Sequence, residues 1–325
     1  MNGMRIATII CWAVSALVLI GLLVWFLVGF AFGGDGIFRD ISLFGMNIRG
    51  TQNLTGPYEK QSEYAADTAN ISTLRVNWVA GEITVTPHDG DKVLITELAQ
   101  RELKNDEKMH ITTDGNTLTI RFHERRSMSG RLPRKNLEIL VPRELSDSLA
   151  SLNINTTSGS VDVDSINAVT TNISSVSAST DIRNITSQKL DISTTSGASV
   201  ISSVNADRID VSSVSGSLTI TDTLTPILSF STTSGRTNAS GEFDRVDVSS
   251  VSGNVVLSST TVPSRIDIST VSGATDIYIP NDGEIAVSHS AVSGRFSSEI
   301  PVTMQNGAPY SFSAVSGNTN IHVLG

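Results

Sequence analysis

The stretch LDISTTSGASVISSVNADRIDVSSVSG (190–216) decides the fold: a short alternating segment, a Ser-Gly pair, a second short segment, and then the first segment again. Leu190 and Ile192 alternate with Asp191 and Ser193, and alternation of period two is the pattern of a strand with one buried face. Ser196-Gly197 closes that strand, and Ser215-Gly216 closes its copy 19 residues on. Outward from this pair the marker recurs as Ser158-Gly159, Ser234-Gly235, Ser252-Gly253, Ser272-Gly273, Ser293-Gly294 and Ser316-Gly317, with Ser177-Ala178 as a variant. The spacings are 19, 19, 19, 19, 18, 20, 21 and 23.

Six and four residues before the marker stand Leu152/Ile154, Leu190/Ile192, Ile209/Val211, Leu228/Phe230, Val246/Val248 and Ile266/Ile268, which read as inward columns. Five residues after it stand Val163, Ile182, Ile201, Ile220, Leu257, Ile277 and Ile321. Two short strands in about 19 residues leave no room for a crossover helix, so equivalent strands must stack in parallel from coil to coil. The predicted fold is all-β: a parallel β-solenoid (β-helix) of about 19-residue coils, preceded by one N-terminal transmembrane helix. Glycine at the marker suits a corner that needs positive φ, or backbones too close for a Cβ. At about 4.8 Å per coil, the nine marked coils would stack over roughly 40 Å.

An earlier coil fits the same register. In LRVNWVAGEITV (74–85), Leu74 and Val76 precede Ala80-Gly81 at the marker offsets, and Val85 lies five beyond Ala80. KVLITE (92–97), MHITTDGNTLTIRF (109–122) and NLEILVPREL (136–145) read as further strands, the middle one a hairpin turning at Asp114-Gly115. Residues 71–150 thus form an all-β entry module to the repeat domain, 151–325. Residues 33–70, rich in Gly, Asn and Thr without clear period, read as a linker.

Residues 6–32, IATIICWAVSALVLIGLLVWFLVGFAF, carry no charge, and about 20 apolar residues suffice to cross a bilayer. A cleaved signal peptide is the rival reading, but the run exceeds the usual apolar region of about 7–15 residues. The expectation is a 1–5 cytoplasmic tail, a single span at 6–32, and the β body on the extracytoplasmic side of a bacterial cell membrane. Cys11, the one cysteine, lies inside the run, which excludes a disulfide framework or cysteine metal site. The net charge of -9 argues against nucleic acid as a partner, because neutralising phosphates needs a basic surface.

Two groups of charges stand out. Lys189, Arg208, Arg245 and Arg265 each lie two residues before Asp191, Asp210, Asp247 and Asp267, an outward ladder in which charges of opposite sign pair; stacked carboxylates binding calcium are the alternative. Arg121, Arg125, Arg126, Arg131, Arg134 and Lys135 form a basic cluster that reads either as a contact for an anionic partner or as a solvated hairpin end. Serine recurs three residues before the marker in eight of nine coils, as hydroxyl ladders at a corner or as a flat glycan-binding face. His88, His110, His123, His289 and His322 fall in unrelated contexts, and no nucleophile elbow, HExxH or phosphate loop occurs. No catalytic residue, metal or cofactor is expected.

The ordered set of apolar N-terminal helix, VAGEITV, DGNTLTI, ILVPREL and repeated SGxxxx(I/V) coils resembles a bacterial β-strand-repeat envelope family labelled "putative adhesin", with a domain of unknown function. The resemblance covers about 71–325. It implies a solenoid at the cell surface, in some members connected with envelope stress, and transfers no catalytic residues. Three functions follow: a non-enzymatic anchored scaffold binding a cell-wall polymer, glycan or envelope protein; a self-assembling solenoid; or a polysaccharide-active β-helix enzyme. Self-association would use an open C-terminal end, since the chain stops at Gly325 just after the strand NIHV (320–323).

Overall fold

The computed structural model describes residues 48–51, 56–124 and 130–325. The 6–32 run read as a membrane span lies outside the described residues, as do the 1–5 tail and half of the predicted linker. The chain divides into two compact units, one of residues 1–52 and 125–132, the other of 53–124 and 133–325. In the first, Ile48–Thr51 and Gly130–Leu132 pair as parallel strands. The second unit holds every other described strand.

That unit is a parallel β-solenoid. Leu149–Asp164 pairs in register with Ala168–Arg183 over both arms of the coil, Ser158 opposite Ser177. The marker positions then match one above another: Ser177 with Ser196, Ser196 with Ser215, Ser215 with Ser234, Ser234 with Ser252 and Ser252 with Ser272. The inward columns fill the interior, with Leu152, Ile154, Leu190, Ile192, Ile209, Ile266 and Ile277 all at most 1% exposed. β-branched side chains suit this stacked, pleated interior.

Two corners of the coil carry left-handed backbone conformations. At the first, a Cβ on Gly159 would stand 1.8 Å from the carbonyl oxygen of Gly81, and one on Gly235 1.8 Å from that of Gly216. Glycine is therefore demanded by the close approach of successive coils, and at Gly159 also by φ of +127°. Ala178 takes this place without the left-handed φ of Gly159, and its Cβ is buried. The second corner lies seven residues beyond the marker, where Ser165, Asn184, Ser203 and Asp222 adopt φ between 49° and 58°. Its residues link coils through the backbone, as when the amide of Ser203 donates to the carbonyl of Thr221.

Four expectations change. Thr73–His88 pairs along its length with Leu149–Asp164, Ala80 opposite Ser158, so the proposed boundary at 150 falls inside one continuous stack. On its other side Thr73–His88 meets two separate strands, Thr117–Arg121 and Lys135–Pro142, which together complete a further coil. Antiparallel strands close this end: His110–Asp114 beside Thr117–Arg121, and Lys92–Ala99 between Lys135–Pro142 and Glu59–Asp67. Glu59–Asp67 is thus an edge strand, not linker, and the 109–122 hairpin turns at Gly115-Asn116, between the paired Asp114 and Thr117. The last correction concerns the far end: Tyr310–Ser316 and Thr319–Val323 insert between the coil of Arg265–Ser272 and that of Ile285–Ser293. NIHV (320–323) is therefore an interior strand, and the outermost coil is the earlier one carrying Ser293-Gly294.

The two corners should respond differently to substitution. Gly159→Ala is expected to lower the stability of the full chain by at least about 3 kcal/mol, combining backbone strain with overpacking. Ser203→Gly, which relieves a left-handed conformation but frees the unfolded chain, is expected to stay within about 1 kcal/mol of wild type. Denaturant midpoints of the two variants, read beside wild type, check this.

Candidate functional site

The basic cluster is divided by the fold. Arg125, Arg126 and the side chain of Arg131 lie outside the described residues; Arg121 and Arg134 are exposed. Lys135 is not a surface residue: it is 0% exposed, and its role as a contact for an anionic partner is withdrawn. The strand Lys135–Pro142 turns Lys135 to the same side as Leu137, Ile139 and Val141. Lys92–Ala99 likewise turns Glu97 inward with Val93, Ile95 and Ala99. The two charges meet, Lys135 Nζ 2.6 Å from Glu97 Oε1.

Every polar group of the pair is met. Lys135 Nζ also donates to the carbonyl oxygens of Glu107, at 2.7 Å, and of Phe122. Glu97 accepts from Ser62 Oγ at 2.6 Å and from the Met109 amide at 2.9 Å. Nζ stands 3.8 Å from the centroid of the Phe122 ring and 4.9 Å from that of Trp78, which donates through Nε1 to the Lys135 carbonyl at 2.8 Å. Burial pushes the Lys135 ammonium down to about 8, against the opposing pull of Glu97. Arg101 holds Glu107 through two hydrogen bonds and keeps its carboxyl below the ordinary carboxylate range. The cluster pins the closing strands to the stack, with both charged side chains 0% exposed.

The outward ladder forms at three of its four predicted rungs. Lys189 lies 3.0 Å from Asp191, Arg208 2.7 Å from Asp210 and Arg265 3.1 Å from Asp267; Lys189 also reaches Asp210 of the next coil at 3.5 Å. Arg245 departs from the pattern and lies 3.8 Å from its neighbour Asp244 instead of pairing with Asp247. Asp247 is raised above the usual carboxylate range by burial first and by the charge of Asp267 second. Sequence reasoning missed a second knot, in which Arg183 pairs with Asp162 at 2.8 Å and Asp181 at 2.7 Å. Its signal was present: Asp162 and Asp181 are four residues beyond their markers in adjacent coils.

The marker serines form an exposed line beside the glycines, Ser196, Ser215, Ser234, Ser252 and Ser272 among them. Behind them the hydroxyls two residues earlier point inward: Thr156, Ser175, Thr194, Thr232, Ser250 and Thr270 are at most 4% exposed. Ser175 donates to Thr194 at 2.9 Å across adjacent coils. A cleft of about 650 Å³ at the closed end is lined by His88, Asp89, Asp91, Arg143 and Glu144 with Thr68 and Ile71. Three of these groups are engaged: His88 bonds the Lys92 carbonyl and the Gly90 amide, and Arg143 pairs with Asp89 at 2.5 Å. Among the described residues no three His, Cys, Asp or Glu side chains are grouped to hold a metal ion.

In-register parallel coils, a glycine corner and a strand-capped end define a β-solenoid built for repeated surface. The chain belongs to the Toastrack DUF4097 family, whose model matches residues 71–324. It is similar to the crystal structure of a "putative adhesin" from Bacteroides fragilis, with 14% identity and a TM-score of 0.47, covering 82% of this chain and 99% of that one. A "putative adhesin" from Parabacteroides merdae matches at 10% identity and a TM-score of 0.46, over 83% and 98%. A "putative lipid binding protein" from Parabacteroides distasonis matches at 13% identity and a TM-score of 0.43, over 82% and 97%. No curated protein matches the sequence.

Breaking the buried pair leaves an uncompensated charge, so Lys135→Met should lower stability by about 3–5 kcal/mol. Adding Glu97→Gln should recover part of the loss, a non-additivity that a double-mutant denaturation cycle measures. The pair also sets a pH dependence. Lys135 loses its proton near 8 when folded and near ~10.4 when unfolded, so unfolding takes up a proton between those values. The contribution of this group makes stability rise with pH across that window, and the slope should vanish in Lys135→Met.

Proposed function

We propose that the protein is a non-enzymatic scaffold, anchored in a bacterial cell membrane by residues 6–32, whose solenoid flank binds an extended envelope component outside the cytoplasm. The carrying observation is the outward face of the stack. There Asn153, Asn172, Asp191, Asp210 and Ser229 succeed one another in register, each one coil from the next. Coils repeat at about 4.8 Å, so a partner lying along the stack meets a polar side chain at every step. A regular face of stacked coils suits an extended polymer or protein surface better than a small molecule, which calls for an enclosing pocket. Pairing of Asp191, Asp210 and Asp267 with cations, in place of convergence on a groove, supports the non-enzymatic part of the reading.

Co-sedimentation of the full chain, in detergent, with insoluble cell-wall polymer tests this. Binding is expected for wild type and should be lost in a double variant, Ser212→Arg with Ser231→Arg, which places bulky charge on the outward face of two adjacent coils. The melting temperature should stay close to wild type. Absence of binding to the polymer and to detergent-solubilised envelope proteins would remove the reading. Appearance of new reducing ends in the polymer would replace it with the enzymatic one.

A further inference from the structure

The two ends of the stack are finished differently. At the closed end the edge strand Glu59–Asp67 carries Glu59, Lys60, Glu63 and Asp67, the charged edge by which sheets resist adding another strand. At the far end the outermost coil is formed by Ile285–Ser293 and Phe296–Ser298. Its inner side pairs with Tyr310–Ser316 and Thr319–Val323. On its outer side Val302–Met304 covers Ile285, Ala286 and Val287 alone, and among the described residues no strand pairs with the remainder. From Ser288 onward a row of backbone N–H and C=O groups therefore faces outward.

This edge lacks the usual protection. The sequence IAVSHSAVSG (285–294) holds no Asp, Glu, Lys, Arg or Pro. Where the coil of Ser272 has Arg265 and Asp267, the outermost coil has Ala286 and Ser288. Val292 and Met304 are the most exposed large hydrophobic residues of those described, at 72% and 56%, and both belong to this end.

We propose that this edge is the docking surface for a second copy of the chain, the two outermost coils pairing edge to edge about a twofold axis that passes beside Val292. A second copy is the occupant because the edge needs an unpaired, uncharged strand, and the same edge of another molecule supplies one without charge repulsion. The pairing continues the hydrogen-bonded ladder by which every coil already meets its neighbour. Twofold symmetry runs the paired strands antiparallel and uses one patch twice, so the assembly closes at two. The charged edge at the opposite end is unfit to extend it into a filament. This inference is independent of binding along the flank, because it involves the end face.

Sedimentation velocity of the full chain in detergent, over a concentration series, tests it. The expected result is a monomer–dimer equilibrium that stops at two copies. Val292→Lys and Val292→Asp, at a position exposed enough to leave folding intact, should each be monomeric with an unchanged melting temperature. An equimolar mixture of the two should recover dimer, because each charge then meets its opposite. Met304→Lys provides a second weakening variant. A wild type monomeric throughout, growth beyond two copies, a dimer that survives both Val292 variants, or a mixture that stays monomeric would each overturn the proposal.

Discussion

Everything in the stack depends on one close approach of backbone to backbone. Along the first corner a Cβ on the marker glycine would stand between 1.7 and 2.1 Å from a carbonyl oxygen of the coil it lies against, from Gly159 through Gly317 and Gly294. At these glycines no side chain fits, and Ala178 holds its Cβ in the same line only with φ outside the left-handed region, so the corner admits little besides glycine. The neighbouring residues follow from that constraint. With coils held close, the inward positions beside the corner have room for Ser and Thr, and further from it for Leu, Ile and Phe. Small hydroxyl residues inside a core carry a cost unless bonded, and the Ser175 to Thr194 contact shows one way the stack meets it, coil to coil.

The ends obey a different constraint, since a solenoid exposes unpaired strands wherever its repeat stops. The closed end meets it by changing strand direction. Lys92–Ala99 and His110–Asp114 run antiparallel to the coil they cover, and the turned-in Lys135 and Glu97 hold them to it through a pair whose hydrogen bonds are complete. A buried pair of this kind adds little net stability against an apolar alternative, yet it tolerates few other arrangements of the strands around it. Specifying one closure is thus its stronger effect. The opposite end buries the C-terminal coil between two others, where Tyr310, Phe312 and Ile321 are at most 3% exposed and Tyr310 Oη donates to the Pro263 carbonyl at 2.6 Å.

Much of this was legible because a 19-residue repeat writes the same requirement many times. Leu190, Ile209 and Ile266 announce a column together as none of them does alone. His289 shows the strength of that register: it pairs with Phe312 at an inward position where it is half-buried, and burial pushes its imidazole below the usual range. What stayed hidden was non-repeating. Glu59–Asp67 is exposed on both faces along most of its length and so lacks the alternation that marks a strand. Lys135 sits in a run of arginines that reads as surface, although its parity with Leu137, Ile139 and Val141 assigned it to the interior. The second corner escaped because Ser165, Asn184, Ser203 and Asp222 share a conformation but not a residue type. Arg245 chose the adjacent Asp244, a local contact that column counting does not weigh.

The lengthened spacings of 21 and 23 at the end of the array hold the last step of the argument. A coil that simply followed its predecessor would need about 19 residues, as the earlier ones do. Part of the added length is 280–284, which carries the chain from the coil of Ser272 to the outermost one, and part is 299–309, which carries it back to the coil beneath. Gln305 bonds the Val287 carbonyl on the way, Ile300 and Ala308 are buried, and the amide of Ile266 meets the Pro309 carbonyl at the point of entry. Inserting the last coil gives it ladder partners on both sides and assigns the one-sided position to the coil before it. The chain thereby shields the strand with the larger aromatic core, Tyr310 and Phe312, and leaves outermost a strand of Ser, Ala and Val. The extra length is thus the visible trace of a choice about which strand faces outward.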